Sequence, residues 1–134
     1  MISTYLFDLD DTLINSNIYE RIYPNIIRKI RLQFKLTEEM LDEEAKKLNL
    51  KRNQYGRWDS GELCKGLGML EMYYQELERA IETDSFISEK ALYAISNLKM
   101  RGRTIGIVSN SMHRTIQTYL KKYGLARYID FILS

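Results

Sequence analysis

Two residue types that pin or interrupt folds are nearly missing from this chain: among 134 residues there is one cysteine, Cys64, and one proline, Pro24. A single thiol excludes an intramolecular disulfide, so the fold rests on its apolar core, and a reducing, cytoplasmic compartment suits it. The only histidine is His113, which leaves little to activate a cysteine nucleophile, so Cys64 reads as a small core residue. No apolar run nears the ~20 residues that cross a bilayer. The N-terminus also lacks the basic stretch followed by an apolar one that marks a secretory leader. Charge of one sign is lacking too: the formal net charge is +2 with 28% charged residues, which argues for neither a nucleic acid nor an anionic membrane as partner. What is present is a globular composition, 45% hydrophobic, in a length that suits one domain or a small core with an insertion.

Along the chain, residues 3–9 read as a short buried strand and Asp10–Thr12 as a loop. From Asn15 to Glu82 the text is helical. Ile18, Ile22, Ile26, Ile27, Ile30 and Phe34 form one apolar stripe, with Arg28, Lys29 and Arg31 as its wet side. Pro24 is expected to start a new helix or kink the first. Thr37 suits the N-cap of a second helix through Leu48, and Glu38 and Glu39 favour its first turn. Residues 51–68 hold four glycines and read as partly loop, and Met69–Ile81 resumes helix. The style then changes. Ser88 can cap a helix ended by Arg101–Gly102, Thr104–Ser109 is rich in β-formers, and Ser111 can cap a helix that stops at Gly124. Tyr128–Leu133 is strand-like again. The fold class expected is α/β: a parallel, partial Rossmann-like sheet core in 1–14 and 86–134, with an all-helical cap domain inserted at 15–85.

Chemistry gathers at two strand ends. The stretch YLFDLDDTL puts Asp8, Asp10 and Asp11 next to one another, and like charges about 4 Å apart repel by roughly 4 kcal/mol at an effective dielectric near 20. A turn that solvates them or a cation that neutralises them is therefore expected. Ligands of open α/β sheets bind beyond the carboxyl ends of the strands, which would bring Asp8–Asp10–Thr12 together with Ser109–Asn110–Ser111. Mg2+ prefers hard oxygen donors and uses one or two carboxylates plus substrate phosphate. Asp8 can serve as a carboxylate nucleophile toward phosphorus, Asp10 as acid and then base, and the Ser109 hydroxyl as a phosphoryl ligand. Asp11 reads as a loop hydrogen-bonder. Asn110 either shapes its loop or touches substrate.

FDLDDTL resembles motif I of the haloacid dehalogenase (HAD) superfamily, the pattern DxDxT after a hydrophobic strand, and IGIVSN resembles motif II. The similarity extends through residues 3–14 and 86–134. The resemblance implies a Rossmann-like core and a Mg2+-dependent phosphatase of small phosphorylated metabolites that works through an aspartyl-phosphate. Asp8 then matches the nucleophile and Asp10 the acid/base. The metal sits on the Asp8 carboxylate and the Asp10 carbonyl, and Thr12, Ser109 and Asn110 surround the phosphate. The helical insertion is similar to a C1-type cap.

The family's third and fourth motifs, a lysine and an acidic metal site, would follow Ser134. The expectation is thus a truncated chain with weak Mg2+ binding, little turnover and an open sheet edge that leaves room for a homodimer. The alternative is a non-catalytic binding or regulatory module on the same fold. A receiver domain fits poorly, because the long helical stretch breaks its β/α alternation. In the insertion, Arg52, Tyr55, Arg57 and Lys65 can either meet a substrate or simply be solvated.

Overall fold

A computed structural model describes residues 3–134. Their elements run β1 (Thr4–Asp8), α1 (Asn17–Phe34), α2 (Glu38–Lys47), α3 (Ser60–Gly66), α4 (Leu70–Thr83), α5 (Glu89–Met100), β2 (Thr104–Val108), α6 (His113–Lys122), a 3-10 turn (Ala126–Tyr128) and β3 (Phe131–Leu133). The chain divides into two compact units. One holds the described residues up to Asn17 together with Ile81–Ser134, and the other is Ile18–Ala80.

The first unit is built on a three-stranded parallel sheet of order β1-β2-β3. The middle strand carries the core: Ile105 and Ile107 are fully buried, as expected where a parallel strand is paired on both sides. Gly106 lies opposite Leu6 on one side and Phe131 on the other. A Cβ there would come within 3.0 Å of both side chains, so only glycine lets the Phe131 ring lie across the strand. Ser88 caps α5, its hydroxyl oxygen accepting the Ala91 N–H at 3.2 Å. Residues 13–15 pair with 86–88 through Asn15 N–H to Phe86 O (2.7 Å) and Ser88 N–H to Leu13 O (2.8 Å), so the chain leaves this unit and returns to it through one short antiparallel neck.

Two local expectations fail here. The strand read over 128–133 begins only at Phe131, because Ala126–Tyr128 winds into a 3-10 turn. Asp130 bridges the change: its N–H donates to Ile105 O, and its carboxylate accepts from Ile105 N–H and from Lys99 Nζ, each at 2.8 Å. Ser111 does not cap α6. The N-cap position is Met112, without a side-chain bond; the Ser109 hydroxyl accepts within the preceding loop and the Ser111 hydroxyl donates to Asp10.

The second unit is helical. α1 continues through Pro24 as one helix, so Pro24 does not start a new one. Its stripe of Ile18, Ile22, Ile26 and Ile30 is buried on both sides of the proline, and that burial outweighs the one helical hydrogen bond Pro24 cannot make. Phe34, counted with the stripe, is 44% exposed. Thr37 caps α2 through Met40 N–H. The glycine-bearing stretch holds a short helix, α3, with Asp59 as N-cap accepting from Glu62 N–H. Gly66 permits the approach of Leu48, whose side chain fills the place of a Cβ. On α4 the buried Glu76 carboxylate accepts from Lys29 and, at 3.1 Å, from Arg79, so its charge is compensated by two cations.

Candidate active site

β1 and β2 run side by side with Asp8 opposite Val108, so the loop after Asp8 and the loop after Val108 leave the sheet at the same end. Adjacent strands lie about 4.8 Å apart, which sets Asp8 one strand spacing from Val108, with Ser109 the next residue along the second chain segment. The loop after β1 is a tight turn held by Asp11 N–H to Ile14 O (2.6 Å) and by Leu13 and Ile14 N–H to Leu9 O (2.9 Å each). These bonds engage the carbonyls of Leu9 and Ile14, on either side of Asp10. Leu9, Leu13 and Ile14 are buried and anchor the turn, while Asp8, Asp10, Asp11 and Thr12 are exposed.

The turn also separates the three carboxylates. Asp11 adopts φ 61°, a left-handed conformation that aspartate tolerates better than most residues. From there its carboxylate turns away and accepts the Ser16 N–H at 3.1 Å. Hydrogen bonds from the Ser16 side chain, and then from its backbone, hold Asp11 below its ordinary 3.8. Asp11 is thus a structural acid. Asp10 turns toward the second loop, where the Ser111 hydroxyl donates to its Oδ2 at 3.5 Å. Exposure to water and divergence relieve the repulsion of the acidic run.

In the second loop the Ser109 N–H donates to Leu133 O (2.9 Å), and the Ser109 Oγ accepts the Ser111 N–H (3.0 Å). With its oxygen occupied as an acceptor, the Ser109 hydroxyl keeps its proton to donate. Asn110 is exposed between them, and its N–H has no acceptor among the described residues. The structure therefore places Asp8, Asp10, Thr12, Ser109 and Asn110 on two loops at one sheet end, with Asp10 and the second loop in contact through Ser111. Sequence reasoning expected these two clusters to meet but assigned the Ser111 side chain to capping, and so did not single out its bond to Asp10. A serine three residues past a strand end carries no signal that separates the two roles. His113 begins α6 and is exposed.

No group of three or more His, Cys, Asp or Glu gathers as a metal site among the described residues. The donors present, exposed carboxylates and a turn carbonyl, are all hard oxygens. They suit a cation that keeps several waters, as Mg2+ does, and not the closed nitrogen–sulfur shell of structural zinc.

In the helical unit the four candidate substrate contacts separate. Arg52 is tied down, with donors to Gly56 O at 2.6 Å and Asp42 at 3.0 Å and its guanidinium 3.8 Å over the Trp58 ring. Arg57 lies over the Tyr23 and Tyr55 rings, and Tyr55 and Lys65 face solvent.

Known structures share the fold. The chain is similar to the provisionally assigned HAD-hydrolase YfnB from Bacillus subtilis, crystallised with bound magnesium, at 22% identity and TM-score 0.50 over 98% of this chain and 64% of that one. It is similar to a provisionally assigned β-phosphoglucomutase from Thermotoga maritima at 16% identity and TM-score 0.59, over 99% of this chain and 61% of the other. It is also similar to a provisionally assigned phosphatase from Clostridium difficile at 18% identity and TM-score 0.58, over 98% and 60%. The chain thus spans less than two thirds of the length of these structures. No curated protein sequence matches it. The sequence model of the haloacid dehalogenase-like hydrolases matches residues 5–134, from the first strand through both polar loops, and the chain belongs to that family.

Proposed function

We propose that this chain carries the nucleophile and the acid–base group of a Mg2+-dependent phosphatase of small phosphorylated metabolites, acting in a reducing, cytoplasmic compartment with the inserted helical unit as its cap. The reading is carried by one observation, the parallel register of Asp8 with Val108, which sets a carboxylate loop and a hydroxyl loop at one sheet end. Mg2+, held by the Asp8 carboxylate and the Asp10 carbonyl, would supply positive charge to the phosphoryl oxygens. The Ser109 hydroxyl and the Asn110 N–H donate to those oxygens, and Thr12 flanks them. The Asp8 carboxylate attacks phosphorus while the ester P–O bond breaks, and protonated Asp10 gives its proton to the leaving oxygen. Asp10, now a carboxylate held toward the loop by Ser111, takes a proton from the water that attacks the aspartyl-phosphate, and Asp8 and inorganic phosphate are released.

The test is phosphoryl capture. The chain is incubated with Mg2+ and p-nitrophenyl phosphate, quenched in acid and read by mass spectrometry. One phosphoryl group is expected on the peptide containing Asp8. It should be absent in Asp8→Asn and after chelation of Mg2+, and persist ~100-fold longer in Asp10→Asn. An unmodified wild-type chain, or a phosphoryl group retained in Asp8→Asn, overturns the assignment.

A further inference from the structure

The helical unit carries a feature that the proposed chemistry does not use. On the exposed side of α1, an open groove of ≈ 470 Å3 runs from Pro24 to Leu36. Ile27, Leu32 and Leu36 line it with apolar side chains, and Arg28, Arg31 and Lys35 line it with basic ones. Leu32 is 68% exposed. Arg31 is engaged, its Nε donating to Leu36 O and its guanidinium 3.8 Å from Glu38. Arg28 reaches only the Asn25 side chain, and neither Arg28 nor Lys35 has a carboxylate partner among the described residues. The eleven helical residues from Pro24 to Phe34 span about 16 Å, the length of three turns of a partner helix rather than of a small ion.

The complementary surface lies in the next element. α2 buries Leu41 and Ala45 and turns Glu39, Met40 and Glu43 outward, within an arc of about 100° on the opposite side. Its other acids are occupied: Glu38 faces Arg31, Asp42 binds Arg52 at 3.0 Å, and Glu44 binds Lys47 at 3.2 Å. Glu39 and Glu43 have no cationic partner among the described residues, and Met40, at the edge of the same face, is 44% exposed. A groove lined by apolar and basic side chains and an acidic stripe flanked by an exposed methionine therefore sit on consecutive helices of one unit, each missing what the other offers.

We propose that this chain self-associates through these two surfaces. The acidic face of α2 in one copy enters the α1 groove of a second copy, and the same contact is repeated in the other direction. With the two reciprocal contacts related by a two-fold axis, the assembly closes as an isologous dimer. Met40 packs against Leu32, and Glu39 and Glu43 meet Arg28 and Lys35. Rim charges of this kind fix register and steer encounter more than they add affinity, so the dimer is weak and dissociates as salt rises.

Sedimentation velocity on the full chain over a concentration series, at low and high salt, tests this. The expected result is a concentration-dependent dimer, weakened ~10-fold or more by Arg28→Glu/Lys35→Glu and equally by Glu39→Lys/Glu43→Lys. The decisive arm mixes the two double variants. Each alone sets like charges against one another, while together they restore both opposite-charge contacts, so a heterodimer should reappear. All four positions are on the surface, and far-UV circular dichroism confirms folding. A wild-type chain that stays monomeric at low salt, a dimer indifferent to both double variants, or a mixture that fails to associate overturns the proposal.

Discussion

Among the residues of the acidic run, the three aspartates differ by conformation rather than by type. Asp8 ends a strand, Asp10 contacts the second loop at Ser111, and Asp11 closes its own turn from a left-handed backbone. That division was partly legible: the sequence reading gave Asp11 a loop role, but only the fold shows the Ser16 N–H it binds. Asp11→Ala loses that bond and puts a Cβ without a polar group at positive φ, at a cost of about 1–2 kcal/mol. Asp11→Gly loses the bond alone and costs about half as much. Urea unfolding of the two variants checks this, and a costlier glycine would mean that the turn does not need the left-handed residue. Cys64 shows the same dependence on context. Buried in α3, its thiol is pushed up to about 12, first by desolvation and then by the Asp59 charge, which removes thiolate chemistry from the candidates.

At the level of elements, propensity and packing compete, and packing decides. α1 absorbs a proline because four isoleucines are buried along it. α3 forms in a stretch with four glycines because Asp59 caps it and Leu63 and Cys64 are buried. β3 shortens because Asp130 supplies a side-chain substitute for the strand ladder. β2 depends on the glycine at its middle. Gly106→Ala is expected to destabilise by about 1–3 kcal/mol, since the Phe131 ring must move off the strand. Denaturant titration measures the loss. Reducing the ring in Gly106→Ala/Phe131→Leu should recover part of it, and a neutral Gly106→Ala would refute the close approach.

For the whole molecule, acid is the condition that tests the sheet-bearing unit. Asp11 and Asp130 are both held below 3.8, Asp11 by Ser16 and Asp130 first by the Lys99 side chain and then by the Ile105 N–H. A carboxylate whose folded value is depressed binds its proton less readily when folded. Its contribution is complete above the unfolded value and is lost as pH falls through the folded one. Stability of this unit should therefore hold down to about pH 5 and decline from about pH 4 downward. Asp130→Asn should flatten that decline while lowering stability near neutrality. Urea midpoints across this pH range read both effects, and an unchanged slope in Asp130→Asn would remove the carboxylate from the account. Among the described residues no helix is long and apolar enough to cross a membrane.

By itself the sequence determined the α/β class, the two strands that lead to Asp8 and to Ser109, and the caps at Thr37 and Ser88. These follow from periodicity, short-range sterics and the few residue types that can end a strand in carboxylates or cap a helix. The tertiary structure alone decided that α1 passes through Pro24, that Ser111 serves Asp10 instead of α6, that Glu76 is buried between Lys29 and Arg79, and that Gly106 lies under Phe131. Each of these depends on a partner far away in the chain, and local spacing carries no information about which distant group will arrive to bury a face, fill a gap or accept a hydrogen bond.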